Sequence, residues 1–323
     1  QSKKKCIWYC SAAVSFLLFL LLNLWCDHLV NMQDAQQMAG RWSEKKDVAQ
    51  ISCFFSSKAE VTEDTIQSFE YSLKNVLQEA SITETSENPG ARLWVDAYSA
   101  DGKITLVNGR NKLDANAIGI GGDFFLFHPL KLITGSYFSG NDLMQDYCII
   151  DQDAAWQLFG SNDVVGMTVY IGNVPHIVTG VVRRPQGRME KAAGLTSTVV
   201  YVSYETLETY GTSNGINHYE IVMPNPVDGF AYGKVKEGIG IDEKNVEIVE
   251  NSRRYSLPNR MKTVLAFGTR SMNGKAIIYP YWENLARGYE DIIALLTVFM
   301  LLLLLYPVVT VIWCFVHWWR HKG

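Results

Sequence analysis

The chain has 323 residues, 48% hydrophobic and 19% charged, with 29 Lys and Arg against 33 Asp and Glu for a formal net charge of −4. At roughly 100–200 residues per domain, this length accommodates one or two domains with a proper core. A pI near 5.9 with no basic tract longer than Lys3-Lys4-Lys5 argues against a nucleic-acid partner, and two apolar terminal blocks argue against a soluble enzyme or a disordered chain.

Residues Cys6 to Trp25 carry no charge across 20 positions, and ten of them are Ile, Val, Phe or Leu. A helix needs ~20 such residues to cross ~30 Å of hydrocarbon. At roughly −0.3 to −0.6 kcal/mol each near the helix centre, they outweigh the single Asn23. A cleaved signal peptide wants small residues after the apolar run, whereas Leu24-Trp25-Cys26-Asp27 follows here. An uncleaved anchor over 6–26 is expected, after a short tail over 1–5.

Asp27–Arg41 is polar and lacks Pro, so the membrane helix is expected to continue outward as a stalk over 27–42. Val48–Phe55 reads as a strand. Thr62 caps a helix through Ala80, with Ile66, Phe69, Leu73, Val76, Leu77 and Ala80 at helical spacing. Glu63 and Asp64 occupy its first turn, where the helix dipole favours them. Leu93–Tyr98 and Lys103–Val107 flank Asp101-Gly102 and are read as a hairpin. Gly119-Ile120-Gly121-Gly122 lacks the spacing of a phosphate loop and is read as a turn. Asp151 and Asp153 are read as caps of a helix beginning near Ala154.

A second hairpin is expected from Met167–Ile171 and Val174–Val182 around Gly172-Asn173. Thr198–Ser203 then reads as a strand, Tyr204–Tyr210 as a helix ended by Gly211, Tyr219–Met223 as a strand, Val227–Glu237 as a helix and Val246–Glu250 as a strand. The fold class expected is an α+β ectodomain of two lobes between two transmembrane helices. The α+β lobe would hold about 43–112 and 196–256, and the β-rich insert about 113–195. Residues 257–291 would form the second stalk. Ile292 to Trp319 is the second span, 28 uncharged residues with Leu301–Leu305 at its centre. Tyr306-Pro307 invites a kink there, and Trp313, Trp318 and Trp319 suit a membrane interface.

Lys3, Lys4 and Lys5 precede the first span, and Arg320 and Lys322 follow the second in a tail over 320–323. Lysine and arginine excess marks the cytoplasmic side, so both termini are expected inside and 27–291 outside. Setting those five aside leaves 24 basic against 33 acidic residues in the ectodomain. Cys6, Cys10 and Cys314 lie in the spans and Cys26 at an exit. Cys53 and Cys148 belong to the ectodomain, either paired or as buried thiols.

Motifs for chemistry are sparse. There is no G-x-S-x-G elbow and no metal-ligand spacing. His28, His128, His176, His218, His317 and His321 each read as packed or exposed histidines. No catalytic residue, cofactor or metal is therefore expected. Arg183, Arg184, Arg188 and Lys191 form a basic stretch around Pro185 and Gly187. It reads as a solvated loop or as a contact for an acidic partner surface.

Residues 121–182 resemble a known family. Phe124-Phe125 leads to Gly135-Ser136-Tyr137-Phe138, where the family has an aromatic pair and a G-R-x-F turn. Ala155, Leu158-Phe159-Gly160, Asp163 and Gly166 follow an A-x-x-L-F-G-x-x-D-x-x-G run, and Val178, Gly180 and Val181 close it. This pattern resembles the MacB-type periplasmic core domain of ABC exporter permeases, in the MacB/FtsX-like group. Ser136 replaces the usual arginine and Met167 a common lysine. Such permeases have one helix before the ectodomain and three after it, whereas this chain has one after it: either it is truncated or it is a two-span relative, and Arg320-His321-Lys322, which reads as a natural tail, favours the second. The resemblance implies a non-catalytic subunit of an ABC-type export complex in the bacterial cytoplasmic membrane. Its partners would be a cytosolic ABC ATPase, a related permease and the lipid bilayer. The alternative is a membrane-anchored extracellular receptor or sensor for a peptide or antibiotic.

Overall fold

The computed structural model describes residues 2–44, 47–83, 91–267 and 277–320. Helix α1 spans Ser2–Asn31, and α2 spans Met38–Trp42. Strand β1 (Val48–Phe55) and helix α3 (Glu63–Glu79) come next, then the long strands β2 (Val95–Asn108) and β3 (Asn111–Gly122). A single turn of helix, α4 (Phe124–Phe127), leads to β4 (Leu132–Gly135), β5 (Tyr147–Asp151) and α5 (Gln152–Phe159). The hairpin β6 (Thr168–Ile171) and β7 (Val174–Val182) precedes α6 (Arg188–Ala192), β8 (Val199–Ser203) and α7 (Tyr204–Tyr210). The chain ends through β9 (Thr212–Ser213), β10 (His218–Pro224), α8 (Phe230–Gly238), β11 (Val246–Glu250), α9 (Leu257–Leu265) and α10 (Tyr281–Arg320).

The chain divides into two compact units, and the larger holds residues 34–254 with 271–285. Among its described residues, eleven strands join one mixed sheet in the order β11-β1-β10-β2-β3-β8-β5-β7-β4, with β6 and β9 attached at β2. Pairing is antiparallel except for β3 with β8 and β5 with β7. The sheet does not break at 112–113, where the two expected lobes would meet, because β3 pairs with β2 over its full length.

Side chains alternate across the pleat, so the sheet buries both faces. One face carries Ile51, Cys53 and Phe55 of β1 and Tyr219, Ile221 and Met223 of β10. It is covered by α3 through Ile66, Phe69, Leu73 and Leu77, and by α8 through Ala231 and Val235. Fully burying a Leu, Ile or Phe side chain contributes roughly 1.5–3 kcal/mol. The other face packs Val95, Ala97, Ile118, Ile120 and Tyr201 against Met38 of α2, the α4 phenylalanines and Trp282 of α10.

Several local expectations hold for physical reasons. Thr62 and Thr65 form a capping box at the start of α3. Gly172 and Asn173 both have positive φ, 57° and 67°, as a two-residue hairpin turn requires. Two expectations fail. Asp101-Gly102 makes no turn, because β2 runs straight through it and closes its hairpin at Gly109 and Arg110. Gly102 is needed because β9 crosses there: a Cβ on it would stand 2.4 Å from the Thr212 carbonyl oxygen. Likewise Gly119–Gly122 is strand, not turn. The Tyr98 ring fills the space a Gly121 Cβ would take, and Leu207 fills that of Gly119. The first stalk also differs, since α1 ends at Asn31 and a short 3-10 turn at Asp34–Gln36 precedes α2.

The smaller unit contains residues 1–33, 255–270 and 286–323. Cys6–Asn31 and Tyr281–Arg320 are each long and apolar enough to cross a membrane. They pair antiparallel: Trp8 meets Trp313 edge-on at 4.9 Å, Ser11 Oγ lies 2.8 Å from Tyr306 Oη, and Cys26 packs with Ile293 and Met300. The helix continues through Pro307, which cannot bond the Leu303 carbonyl four residues earlier. Ser15 Oγ donates to that carbonyl instead, at 2.7 Å. His321 and Lys322 of the basic flank, and 268–276 of the expected second stalk, lie outside the described residues.

Candidate functional site

The motif residues build a rigid corner at the β4, β5 and β7 end of the sheet. Phe124, Phe125 and Phe138 are buried, and Phe125 stacks on Tyr137 at 4.6 Å with Phe138 edge-on at 5.7 Å. The Tyr137 hydroxyl accepts from Leu130 N at 2.8 Å and donates to the Leu130 carbonyl. Gly135 has φ +86°, and a Cβ there would sit 2.1 Å from the Thr179 carbonyl oxygen and 2.7 Å from Gly180 Cα. Only glycine lets these two backbones meet. Leu158 is buried in the core on the opposite face of the sheet, and Phe159 packs at that core's edge. Gly160 ends α5 in the left-handed region, and Gly166 donates its N–H to Val178 O at 2.8 Å. Asp163 is exposed.

Asp151 caps α5 by accepting from Ala154 N at 2.9 Å, as its position before the helix implies. Its second oxygen accepts from Val199 N and from Arg184, which also reaches Asp153. Burial pushes the Asp151 carboxyl up, against these donors and the arginine. Arg184 thus spans two aspartates of its own chain, while Arg183 and Arg188 present exposed side chains. Cys53 and Cys148 are free buried thiols, with burial pushing Cys148 up to about 12. A groove of 500 Å³ lies between α3 and the start of β2, lined by Lys74, Gln78, Arg92, Trp94 and Asp96.

A second constellation lies on the sheet face under α4 and the first turn of α10. His218 and Glu220 stand two apart on β10, so both point to that face, alternating with Tyr219 and Ile221 on the other. His128, the residue that ends α4, joins them. All three are at most 4% exposed, and their nearest ligand atoms lie within 4.8 Å of one another. His128 Nε2 is 2.8 Å from Glu220 Oε2, and His218 Nε2 is 3.4 Å from Glu220 Oε1. Burial pushes Glu220 up, but the two imidazoles outweigh it and hold the carboxyl well below its usual range. Burial pulls His128 down, against Glu220. The Trp282 ring covers both histidines, with centroids at 4.3 and 5.3 Å.

Polar contacts continue outward from this centre. Ser52 Oγ donates to Glu220 Oε1 at 2.5 Å, and Asn251 Nδ2 donates to Ser52 Oγ at 2.6 Å. Arg254 then reaches Asn251 Oδ1 and grips both oxygens of Glu283 at 2.7 Å. One buried polar chain therefore joins β10 to the first turn of α10. Reading the histidines one at a time missed this group. The available signal was His218-Tyr219-Glu220 inside an apolar strand, which places an imidazole and a carboxylate on one buried face.

The family model for the MacB-like periplasmic core domain matches residues 33–248. The chain belongs to this family. The match covers the MacB-like domain from the foot of α1 into β11 and so includes both the aromatic corner and the His–Glu–His group. Trp282 and Glu283 lie beyond it. Among similar proteins, "Macrolide export ATP-binding/permease protein MacB" of Chromobacterium violaceum is 31% identical over 130 residues, 40% of this chain and 19% of that protein. The protein of the same name from Pasteurella multocida is 30% identical over 116 residues, 35% of this chain and 18% of that protein. The chain thus matches about a fifth of the length of these relatives. Among solved structures, the periplasmic region of MacB from Actinobacillus actinomycetemcomitans has a TM-score of 0.42 at 19% identity, covering 68% of this chain and 93% of that one. The extracellular domain of the noncanonic ABC-type transporter YknZ from Gram-positive bacteria has a TM-score of 0.41 at 20% identity, covering 62% and 99%.

Proposed function

We propose that this chain is a non-catalytic membrane subunit of an ABC-type export complex, a permease or permease-like accessory. Its MacB-like domain mediates assembly and is coupled to ATP hydrolysis on a separate cytosolic subunit. The observation that carries this reading is a MacB-like core domain matched over 33–248, with a membrane-length apolar helix on either side. The partners are a cytosolic ABC ATPase and a related MacB/FtsX-like permease. The chain sits in the bacterial cytoplasmic membrane, crossed by its two apolar helices, with the main domain between them outside. The antiparallel pairing of α1 and α10 favours both termini on one side, and the lysines and arginine at the two ends favour the cytoplasmic side.

The motif residues Phe124, Phe125, Gly135, Phe138, Leu158, Phe159, Gly160, Asp163, Gly166 and Gly180 serve as framework in this reading. Arg183 and Arg188, exposed on an acidic domain, are offered as partner contacts, and Arg184 as the residue that fixes their loop. Leu143, Met144, Trp156, Val165 and Met167 are exposed apolar side chains. They suit a domain that works against another protein surface.

Purification from the native membrane in mild detergent, with mass spectrometry of co-purifying chains, tests the assignment. An ATP-binding subunit and a multi-span permease at stable stoichiometry are expected. If the chain comes down alone or with a kinase, the export reading fails and a membrane-anchored receptor replaces it.

A further inference from the structure

We propose that His128, His218 and Glu220 form a buried three-ligand structural zinc site, its fourth position left to water, that clasps β10 to the end of α4 beneath Trp282. Two imidazoles and one carboxylate are a donor set suited to a borderline transition ion, and zinc takes such ligands at ~2.0–2.2 Å. Bond lengths of that size place tetrahedral ligand atoms roughly 3.3 Å apart. Glu220 Oε2 lies 2.8 Å from His128 Nε2 and Glu220 Oε1 lies 3.4 Å from His218 Nε2, and one ligand atom from each residue falls within 4.8 Å of the others. The three side chains thus converge on one buried point from which an ion could take a ligand atom of each.

A plain hydrogen-bonded cluster accounts for the centre less well. His128 Nε2, His218 Nε2 and Glu220 Oε2 are buried, converge on one another, and make no hydrogen bond of good geometry. Buried polar atoms left so are costly. An ion between them satisfies all three together and neutralises the carboxylate. The support expected around metal ligands is also present. Ser99 Oγ lies 3.4 Å from His218 Nδ1, and Ser52 holds the other oxygen of Glu220. Such outer contacts fix the ring and the carboxylate that bind the metal. Phe54, Phe124 and Trp282 close the apolar shell around the two rings, at centroid distances of 4.3–5.3 Å.

Burial gives the site its character. No open face admits substrate, so the ion is structural, entering as the domain folds and resisting chelation afterwards. The ligands come from residues 128, 218 and 220, and the Trp282 ring above them belongs to α10. A zinc ion would thus fasten the strand to the end of α4 beneath that ring.

The test uses the full-length chain, made in zinc-replete medium and purified in detergent with EDTA washing. Metal content by mass spectrometry is expected to show stoichiometric zinc, and protein made in cobalt medium is expected to show the visible absorption of a tetrahedral site. Ser99→Ala, which leaves all three ligands in place, is expected to weaken zinc retention ~10–100-fold. Glu220→Gln and His218→Ala are expected to lose the metal, and either may be replaced by His128→Gln where folding suffers. Folded wild-type protein that carries no zinc and gives no cobalt band overturns the site. So does zinc that persists unchanged in a folded Glu220→Gln, His218→Ala or His128→Gln chain. Neither result bears on whether an ATPase co-purifies, so the two readings fail separately.

Discussion

Glu70 on α3 shares a hydrogen bond with Asp96 of β2, which also accepts from Tyr219 Oη at 2.9 Å. Burial, then the neighbouring Asp96 charge, pushes the Glu70 carboxyl up to about 8. The folded state therefore keeps a proton that the unfolded chain releases near pH ~4.3. Stability is full below that point and falls as pH rises through about 8. Chemical unfolding of wild type is expected to show a lower midpoint near pH ~8 than near pH ~5. Glu70→Gln, neutral throughout, should flatten that difference; an unchanged slope would place the proton elsewhere. Gly135 makes a second test at this scale. Gly135→Ala forces a side chain into a positive-φ position against the Thr179 carbonyl, at a cost of about 1–3 kcal/mol read as a lower melting temperature.

Among the elements, the last helix makes two different demands. In its apolar half, Pro307 withdraws the donor for the Leu303 carbonyl and Ser15 of the facing helix replaces it. Ser15→Ala is expected to weaken the helix pair by about 1 kcal/mol, the scale of interhelical hydrogen bonds in membranes. In a Pro307→Ala background the helix bonds its own carbonyl, so the same change should cost nearly nothing. A double-mutant cycle showing no coupling would refute the exchange. In its first turn, Glu283 is buried with Arg254. Glu283→Ala takes both carboxylate oxygens from that buried guanidinium, a loss of about 3–5 kcal/mol, and hydrogen exchange of the amides at 281–285 is expected to quicken.

The elements also show what the sequence made legible. Local chemistry was readable wherever one residue decides the outcome: Thr62 and Asp151 as caps, Gly172-Asn173 as a turn, and α7 closed by Gly211. Asp101-Gly102 and Gly119–Gly122 misled because glycine serves two ends. It opens left-handed turns, and it also makes room for a crossing strand or a ring, as Thr212 and Tyr98 show. That second use depends on partners distant in the chain. The His–Glu–His group was hidden for the same reason, with 90 residues separating His128 from His218. The aromatic corner was legible only as a pattern resembling a family, since no local rule brings Phe125 onto Tyr137.

For the whole molecule, the proposed topology places the acidic domain outside and both ends inside. Leu143 is fully exposed in the domain, so Leu143→Cys is a direct reporter. A membrane-impermeant thiol reagent added to intact cells with the outer layers opened is expected to label it, and labelling only after lysis would invert the topology. Within the domain the native cysteines are poor competitors, since Cys53 and Cys148 are buried free thiols, and the reporter chain has Cys6, Cys10 and Cys314 replaced by serine.

Strand β1 lies between β11 and β10, so it is completed by partners from the far end of the domain; Ser52 and Glu220, for instance, are 168 residues apart. At roughly 5–20 residues per second, a nascent chain reaches that partner ~10–30 s after β1 has emerged. During that interval an eight-residue strand, apolar at six positions, has neither of its neighbours. Maturation of this domain is therefore late and nearly all-or-none, and a chain arrested before Tyr219 should remain open to protease. Quality control on the outer side of the membrane, by holdases that shelter an unpaired strand, becomes part of what this topology requires of its host.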